Sequence, residues 1–123
     1  MRCLSSRLEK AGKDGDIVGA RKTDIVIVFP NNRARAYGSL AADVAAVTPP
    51  VQEGLLAAYL RKNGFEVSLV DAEAAGLLPG QVADEVARAK PLLVSVGTDH
   101  VNSGDVTKMA AAGETARAIK QLT

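Results

Sequence analysis

The chain has 123 residues, of which 47% are hydrophobic and 24% are charged, and this composition is typical of a single globular domain. Its net charge of +1, with two tyrosines, two phenylalanines and no tryptophan, argues against a nucleic-acid-binding surface. Such a surface needs clustered cations and aromatic side chains for base stacking.

Residues 1–22 are polar and interrupted by glycines, which predicts a flexible leader ahead of a domain at residues 23–123. The only cysteine, Cys3, lies in this leader, so a disulfide within the chain and a cysteine-based zinc or iron–sulfur site are excluded. No apolar run approaches the roughly 18 residues of a membrane span. A cytoplasmic protein with no membrane or nucleic-acid partner is therefore predicted.

The first predicted strand is Ile25–Phe29, an unbroken apolar run of the kind that is buried on both faces of a sheet. A loop is predicted from Pro30 to Pro49, and about 19 residues is long for a connection in an α/β domain. The first half of this loop is rich in polar and turn-forming residues, namely Asn31, Asn32, Arg33, Arg35, Tyr37, Gly38 and Ser39. Its length and position favour a functional role.

A helix is predicted after Thr48, which is placed to cap it, and Gly64 is placed to end it. Its apolar stripe consists of Leu55, Leu56, Tyr59 and Leu60. A second strand is predicted at residues 65–70, followed by Asp71 as a turn or capping residue and a loop over residues 72–78.

A further helix is predicted at residues 79–90, with Val82, Val86 and Ala89 on its apolar side. The third strand is predicted at residues 92–97, and a last helix is expected to run to about Leu122. The apolar side of that helix is predicted to contain Val106, Met109, Ala110, Ala116 and Ile119.

This alternation of strands and helices predicts an α/β fold with a parallel sheet, strand order 2-1-3, and helices on both faces, in a Rossmann-like or flavodoxin-like arrangement. The loops after the first and third strands then share one rim of the sheet, where open α/β sheets bind ligands. The third-strand loop supplies Thr98, Asp99, His100 and Asn102 to this rim. These residues are predicted ligand contacts, and the alternative is that they form turns and helix caps.

Five segments, in this order and spacing, resemble the amino-terminal cobalamin (B12)-binding domain of cobalamin-dependent radical S-adenosylmethionine (SAM) enzymes. The resemblance covers roughly residues 24–121. The segments are Val28-Phe29-Pro30-Asn31, residues 48–56 beginning Thr48-Pro49-Pro50, residues 60–67 containing Asn63-Gly64-Phe65, Val70-Asp71-Ala72, and residues 91–97 ending Ser95-Val96-Gly97.

The resemblance implies a cobalamin site without a histidine ligand to cobalt. Related domains carry Asp-x-His-x-x-Gly after the first strand, whereas here a similar pattern, Asp71 to Gly76, follows the second strand and has Glu73 in the histidine position. The cofactor-binding residues that it implies, together with the loop analysis, are Asn31, Asn32, Arg33, Tyr37, Gly38, Gly97, Thr98, Asp99, His100 and Asn102. No catalytic residue and no metal ligand is predicted in this chain.

The family's domain has five strands, so the resemblance implies a truncated domain of a larger enzyme. That enzyme would be a radical SAM methyltransferase that uses cobalamin, SAM and a [4Fe-4S] cluster, and its remaining domains would be partners of this chain. Self-association through the edge of the third strand is also predicted. The alternative function is a ligand-free flavodoxin-like module for regulation or protein interaction.

Overall fold

The computed structural model of the protein describes residues 23–40, 43, 46–98 and 106–123. Three strands, Ile25–Phe29 (β1), Val67–Asp71 (β2) and Leu93–Val96 (β3), form a parallel sheet in the order β2-β1-β3. The predicted α/β class, the parallel sheet and its strand order are confirmed. The predicted leader, residues 1–22, lies outside the described residues.

Helices connect the strands and follow the last of them. They are Arg33–Tyr37 (α1), Val51–Lys62 (α2), Ala72–Ala75 (α3), Pro79–Ala89 (α4) and Val106–Leu122 (α5), with a 3-10 turn at Gly38–Leu40. None of these described helices is both long and apolar enough to cross a membrane.

One face of the sheet is covered by α4 and α5 and is called here the two-helix face. Val26 and Val28 of β1 point to this face and pack against Val82, Val86 and Ile119 of the two helices. Every one of these side chains is almost completely buried. At roughly 25 cal/mol for each Å² of apolar surface removed from water, this layer is the main source of stability.

The other face is covered by α2 alone and is called here the one-helix face. Ile25 and Ile27 point to it and pack against Ala57 of α2 and Val67 of β2. The helix ends as predicted, because Gly64 takes a φ of 90°, a conformation that residues with a Cβ rarely adopt.

The predicted apolar stripe of α2 is largely wrong. Leu60 packs against the core of the one-helix face as predicted, but Leu55, Leu56 and Tyr59 are exposed, and Glu53 and Ala57 are buried against the sheet. Apolar residues occur on more than one side of this helix, so periodicity alone does not identify its buried side. The small Ala57 side chain lets the helix lie close to β1 and β2, and this contact decides the orientation.

The predicted apolar side of α5 is also largely wrong. Met109, Ala110 and Ala116 are exposed, and only Ile119 of the predicted set is buried in the described part of the chain. The buried positions of α5 are Lys108, Ala111, Ala112, Thr115 and Ile119. Polar side chains can be buried on this side because they have interaction partners within the protein. The Thr115 hydroxyl, for example, donates a hydrogen bond to the Ala111 carbonyl at 2.9 Å.

Two predicted loops contain helical turns. Residues 72–75 form α3, because the Asp71 carboxylate accepts a hydrogen bond from the Ala74 N–H at 3.0 Å and so caps the turn, as predicted for that residue. The long loop after β1 contains α1 and the 3-10 turn. Thr48 does not cap α2, since Pro50 immediately precedes that helix and no side chain caps it.

Candidate functional site

The order β2-β1-β3 creates a switch point between β1 and β3. The chain leaves β1 through α2, on the one-helix face, to reach β2, and it leaves β2 through α4, on the two-helix face, to reach β3. The helix that follows β1 on the way to β2 and the helix that follows β3 therefore lie on opposite faces of the sheet. The chain separates in two directions between the carboxyl ends of β1 and β3. In open parallel sheets this is where ligands bind.

The two asparagines that follow β1 point into the fold. The Asn31 side-chain amide donates to the Leu77 carbonyl at 3.4 Å, and its oxygen accepts from the Arg33 N–H at 3.1 Å. The Asn32 amide donates to the Thr107 hydroxyl of α5 at 2.9 Å, and Asn32 is only 5% exposed. Both side chains connect the end of β1 to distant parts of the chain.

A buried polar cluster lies beside these asparagines on the two-helix face. The Lys108 ammonium lies 3.9 Å from the centroid of the Phe29 ring, an attractive cation–π contact. Burial raises the pKa of the Glu73 carboxyl above its usual 4.5, and the nearby Asp71 carboxylate adds to this effect. Three other contributions partly offset this rise, because each lowers the pKa of Glu73. They are the positive charges of Lys108 and Arg33 and a hydrogen bond from the Thr48 backbone.

The remaining predicted residues of the first loop lie toward the outside. Arg35 of α1 forms an exposed ion pair with Glu114 of α5, which holds the short helix against α5. Tyr37 and Gly38 are exposed. Neither α1 nor the 3-10 turn lines the cleft that opens between the ends of β1 and β3.

A cleft of about 320 Å³ opens at the switch point, on the one-helix face. Its walls are partly apolar and partly polar, and the lining residues are Ile27, Gln52, Glu53, Leu56, Ser95, Val96, Gly97 and Thr98. The volume is at the lower end of the range for small-molecule sites. Hydroxyl, amide and carboxylate groups on a partly apolar wall are suited to orienting an organic ligand.

Glu53 and Gly97 meet inside this cleft. A methyl group built on the Gly97 Cα would lie 3.0 Å from the Glu53 Cδ and closer still to its Oε1. The absence of a side chain at Gly97 therefore leaves the space that the Glu53 carboxylate occupies. Glu53 is 8% exposed.

Of the ten predicted cofactor-binding residues, Gly97 and Thr98 line the cleft. Asn31, Asn32 and Arg33 lie between the end of β1 and the two-helix face. Asp99, His100 and Asn102 lie outside the described residues.

Sequence reasoning missed Gln52, Glu53 and Ser95. The alternation of Ser95 with Val94 and Val96 was an available signal, because it places Ser95 on the opposite face from the two valines. Glu53 gave no such signal, since an acidic residue in the first turn of a helix is normally solvated.

Among the described residues, no group of three or more histidine, cysteine, aspartate or glutamate side chains is placed to hold a metal ion. Comparison with known proteins finds no matching family model, no similar curated protein and no similar solved structure. The sheet order and the cleft are therefore the basis for any functional conclusion.

Proposed function

We propose that this chain binds an organic cofactor in the cleft between the ends of β1 and β3, and that the cofactor is cobalamin. The observation that carries the proposal is the position of the cleft at the switch point of a parallel sheet. The choice of cobalamin rests on the sequence resemblance alone.

The lining of the cleft fits part of such a cofactor. Cobalamin is much larger than 320 Å³, so the cleft holds one end of it and the rest extends over the rim. Hydroxyls of Ser95 and Thr98 and the amide of Gln52 would hold the amide and hydroxyl groups of the cofactor, while Ile27 and Leu56 contact its apolar parts. Gly97 leaves the space for the Glu53 carboxylate beside these groups.

In this proposal the chain binds and orients the cofactor and carries no catalytic residue. Bound cobalamin would supply the methyl-carrying cobalt chemistry of a methyltransferase. The SAM and the [4Fe-4S] cluster would be held by other domains of a radical SAM enzyme. Cobalt would have no histidine ligand from this chain, because the only histidine is His100 and the prediction gives it no such role.

The test is titration of the full chain with hydroxocobalamin, followed by absorbance and by co-elution on gel filtration. Saturable binding is expected, and the Ser95→Ala/Thr98→Val double variant is expected to weaken it by about tenfold, because two hydrogen bonds are lost. The Asp84→Asn variant is the control, because Asp84 is exposed on α4, on the other face of the sheet. Absence of binding contradicts the proposal.

The histidine prediction is tested in the same titration. We expect a His100→Ala variant to bind hydroxocobalamin with an unchanged absorption spectrum. A changed cobalt spectrum in that variant alone would mean that His100 is a ligand.

One observation favours the second candidate, a protein-interaction module. Val51, Leu55 and Tyr59 form an exposed apolar surface on α2, and β3 is an edge strand of the described sheet with Leu93 58% exposed. Edge strands with apolar side chains pair readily with a second copy. We therefore propose self-association through β3 as the alternative, in which the two copies join their β3 edges.

Sedimentation velocity over a range of concentrations separates the two candidates. A dimer that Leu93→Lys converts to a monomer, in a chain that binds no hydroxocobalamin, supports the interaction module. A monomer that binds hydroxocobalamin supports the cofactor site.

A further inference from the structure

The Glu53 side chain lies largely buried in the wall of the cleft, and its carboxylate has no partner in the described part of the protein. The residue is 92% buried, and it forms no hydrogen bond or ion pair with any described residue. Neither of its oxygens is among the buried side-chain atoms that lack a partner in the described part of the chain, so the carboxylate faces the open cleft and not the protein interior. An acceptor in this position is available for a hydrogen bond from a bound ligand.

The chemistry of the cleft limits what that group is. Among the described residues, no lysine, arginine or histidine lines the cleft, so none of them offsets the negative charge of the carboxylate. A phosphate or carboxylate on the ligand would lie in the same small space as Glu53 and be repelled. A hydroxyl or a primary amide would instead donate a hydrogen bond to it, and hydrogen bonds to a charged group are stronger than those between neutral groups.

Gly97 makes the approach of Glu53 possible. A Cβ at this position would overlap the Glu53 carboxylate, so the side chain of Glu53 would have to swing out of its place. The carboxylate is the far end of a flexible side chain, so this movement disturbs the fold little. Gly97→Ala therefore displaces the acceptor and leaves the rest of the cleft in place.

We propose that Glu53, positioned by Gly97, determines the specificity of this cleft. It accepts hydrogen bonds from the buried end of the ligand and selects a neutral donor group, such as the hydroxyls of a ribose or a primary carboxamide, against an anionic group. This inference rests on the proposed function, since it assigns the ligand chemistry of the same cleft.

The test is isothermal titration of the full chain with hydroxocobalamin, cobinamide, adenosine and adenosine monophosphate. Cobinamide carries carboxamides without the nucleotide, and adenosine carries ribose hydroxyls without a phosphate, so the two probes distinguish the sources of the donor. We expect at least one of the three probes without a terminal phosphate to bind. We also expect adenosine monophosphate to bind at least about tenfold more weakly than that probe.

The variants are Glu53→Gln and Gly97→Ala, with Asp84→Asn as the control for loss of one carboxylate. We expect Glu53→Gln and Gly97→Ala each to weaken binding of the neutral probe by about tenfold, and Asp84→Asn to leave it unchanged. Gly97→Ala is expected to have no further effect in a Glu53→Ala background, because no carboxylate is then left to displace.

The outcomes separate the two proposals. If a neutral probe binds the wild-type chain but Glu53→Gln binds it equally well, or if adenosine monophosphate binds as tightly, the specificity role of Glu53 is wrong and the cleft remains the site. If no probe binds the wild-type chain, the cofactor site itself is wrong. Circular dichroism of each variant establishes that it folds, and Glu53→Gln alone decides the question if Gly97→Ala does not fold.

Discussion

In the described part of the chain, each face of the sheet buries one glutamate side chain, and the surroundings of the two differ. Glu73, on the two-helix face, is 5% exposed and has the charge of Lys108 and the Thr48 backbone N–H nearby. Glu53, on the one-helix face, is 8% exposed and has no hydrogen bond or ion pair with the described residues. One oxygen of Glu73 is buried without a hydrogen-bond partner among the described residues, whereas neither oxygen of Glu53 is, so the fold encloses the Glu73 carboxylate and the Glu53 carboxylate faces the cleft.

The apolar side chains show the same contrast. Val28, Val82 and Val86 on the two-helix face are fully buried, and the asparagines beside them form hydrogen bonds within the fold. On the one-helix face, Leu55 and Tyr59 of α2 remain more than 60% exposed. Two helices close one face, and a single helix leaves the other with a cleft and an uncovered apolar surface.

The largest expected difference is between a buried and an exposed aromatic residue. Phe29 is 1% exposed and contacts Lys108, so Phe29→Ala should lower the free energy of unfolding by about 3–5 kcal/mol. Tyr59 is 65% exposed, so Tyr59→Ala should lower it by less than about 1 kcal/mol. Urea unfolding of both variants measures this, and equal losses would contradict the difference in burial between the two rings.

The Glu53 carboxylate gives the next effect, with the opposite sign. Glu53→Leu should raise the free energy of unfolding of the ligand-free chain by up to about 1 kcal/mol, because an apolar side chain then fills a largely buried position whose carboxylate has no partner among the described residues. Gln52→Leu, on the exposed neighbouring position of α2, should change it by no more than about 0.5 kcal/mol. A loss of stability in Glu53→Leu would mean that the carboxylate has a stabilising partner.

The two-helix face should show a pH dependence that comes from Glu73. The folded protein holds the Glu73 proton more tightly than the unfolded chain does, because burial raises the pKa above 4.5. The contribution of Glu73 to the free energy of unfolding is therefore lost as the pH rises above 4.5. Glu73→Gln should remove this component, and Asp84→Asn should keep it.

Unfolding measured from about pH 4 to about pH 8 tests this direction. The wild-type and Glu73→Gln curves should diverge as the pH rises, with the variant losing less stability. Parallel curves would mean that Glu73 titrates alike in the folded and unfolded states.

The smallest effect should come from the exposed ion pair between Arg35 and Glu114. Their side chains are 40% and 45% exposed, so Glu114→Gln should lower the free energy of unfolding by less than about 1 kcal/mol. High salt screens exposed pairs, so the difference should vanish at about 1 M salt. A larger loss that survives high salt would mean that α1 contributes to the core.

The cleft shows how much of a candidate site the sequence predicts. Its place at the ends of the first and third strands follows from the order of strands and helices, and Gly97 and Thr98 were predicted members. Glu53 was not predicted, because its burial depends on the side of α2 that faces the sheet. Asn31 and Asn32 were predicted to face a ligand, whereas their partners lie 46 and 75 residues away along the chain.

The sequence by itself determined the three strands, the three longer helices and the topology. Runs of β-branched residues, glycine and proline at helix ends, and the alternation of strands with helices are local signals, and they predicted β1 to the residue and the order β2-β1-β3. Only the tertiary structure decided which sides of α2 and α5 are buried and which polar groups meet. The reason is physical: alanine-rich helices have more than one side that is suitable for packing, and the choice depends on the strands and helices that cover them.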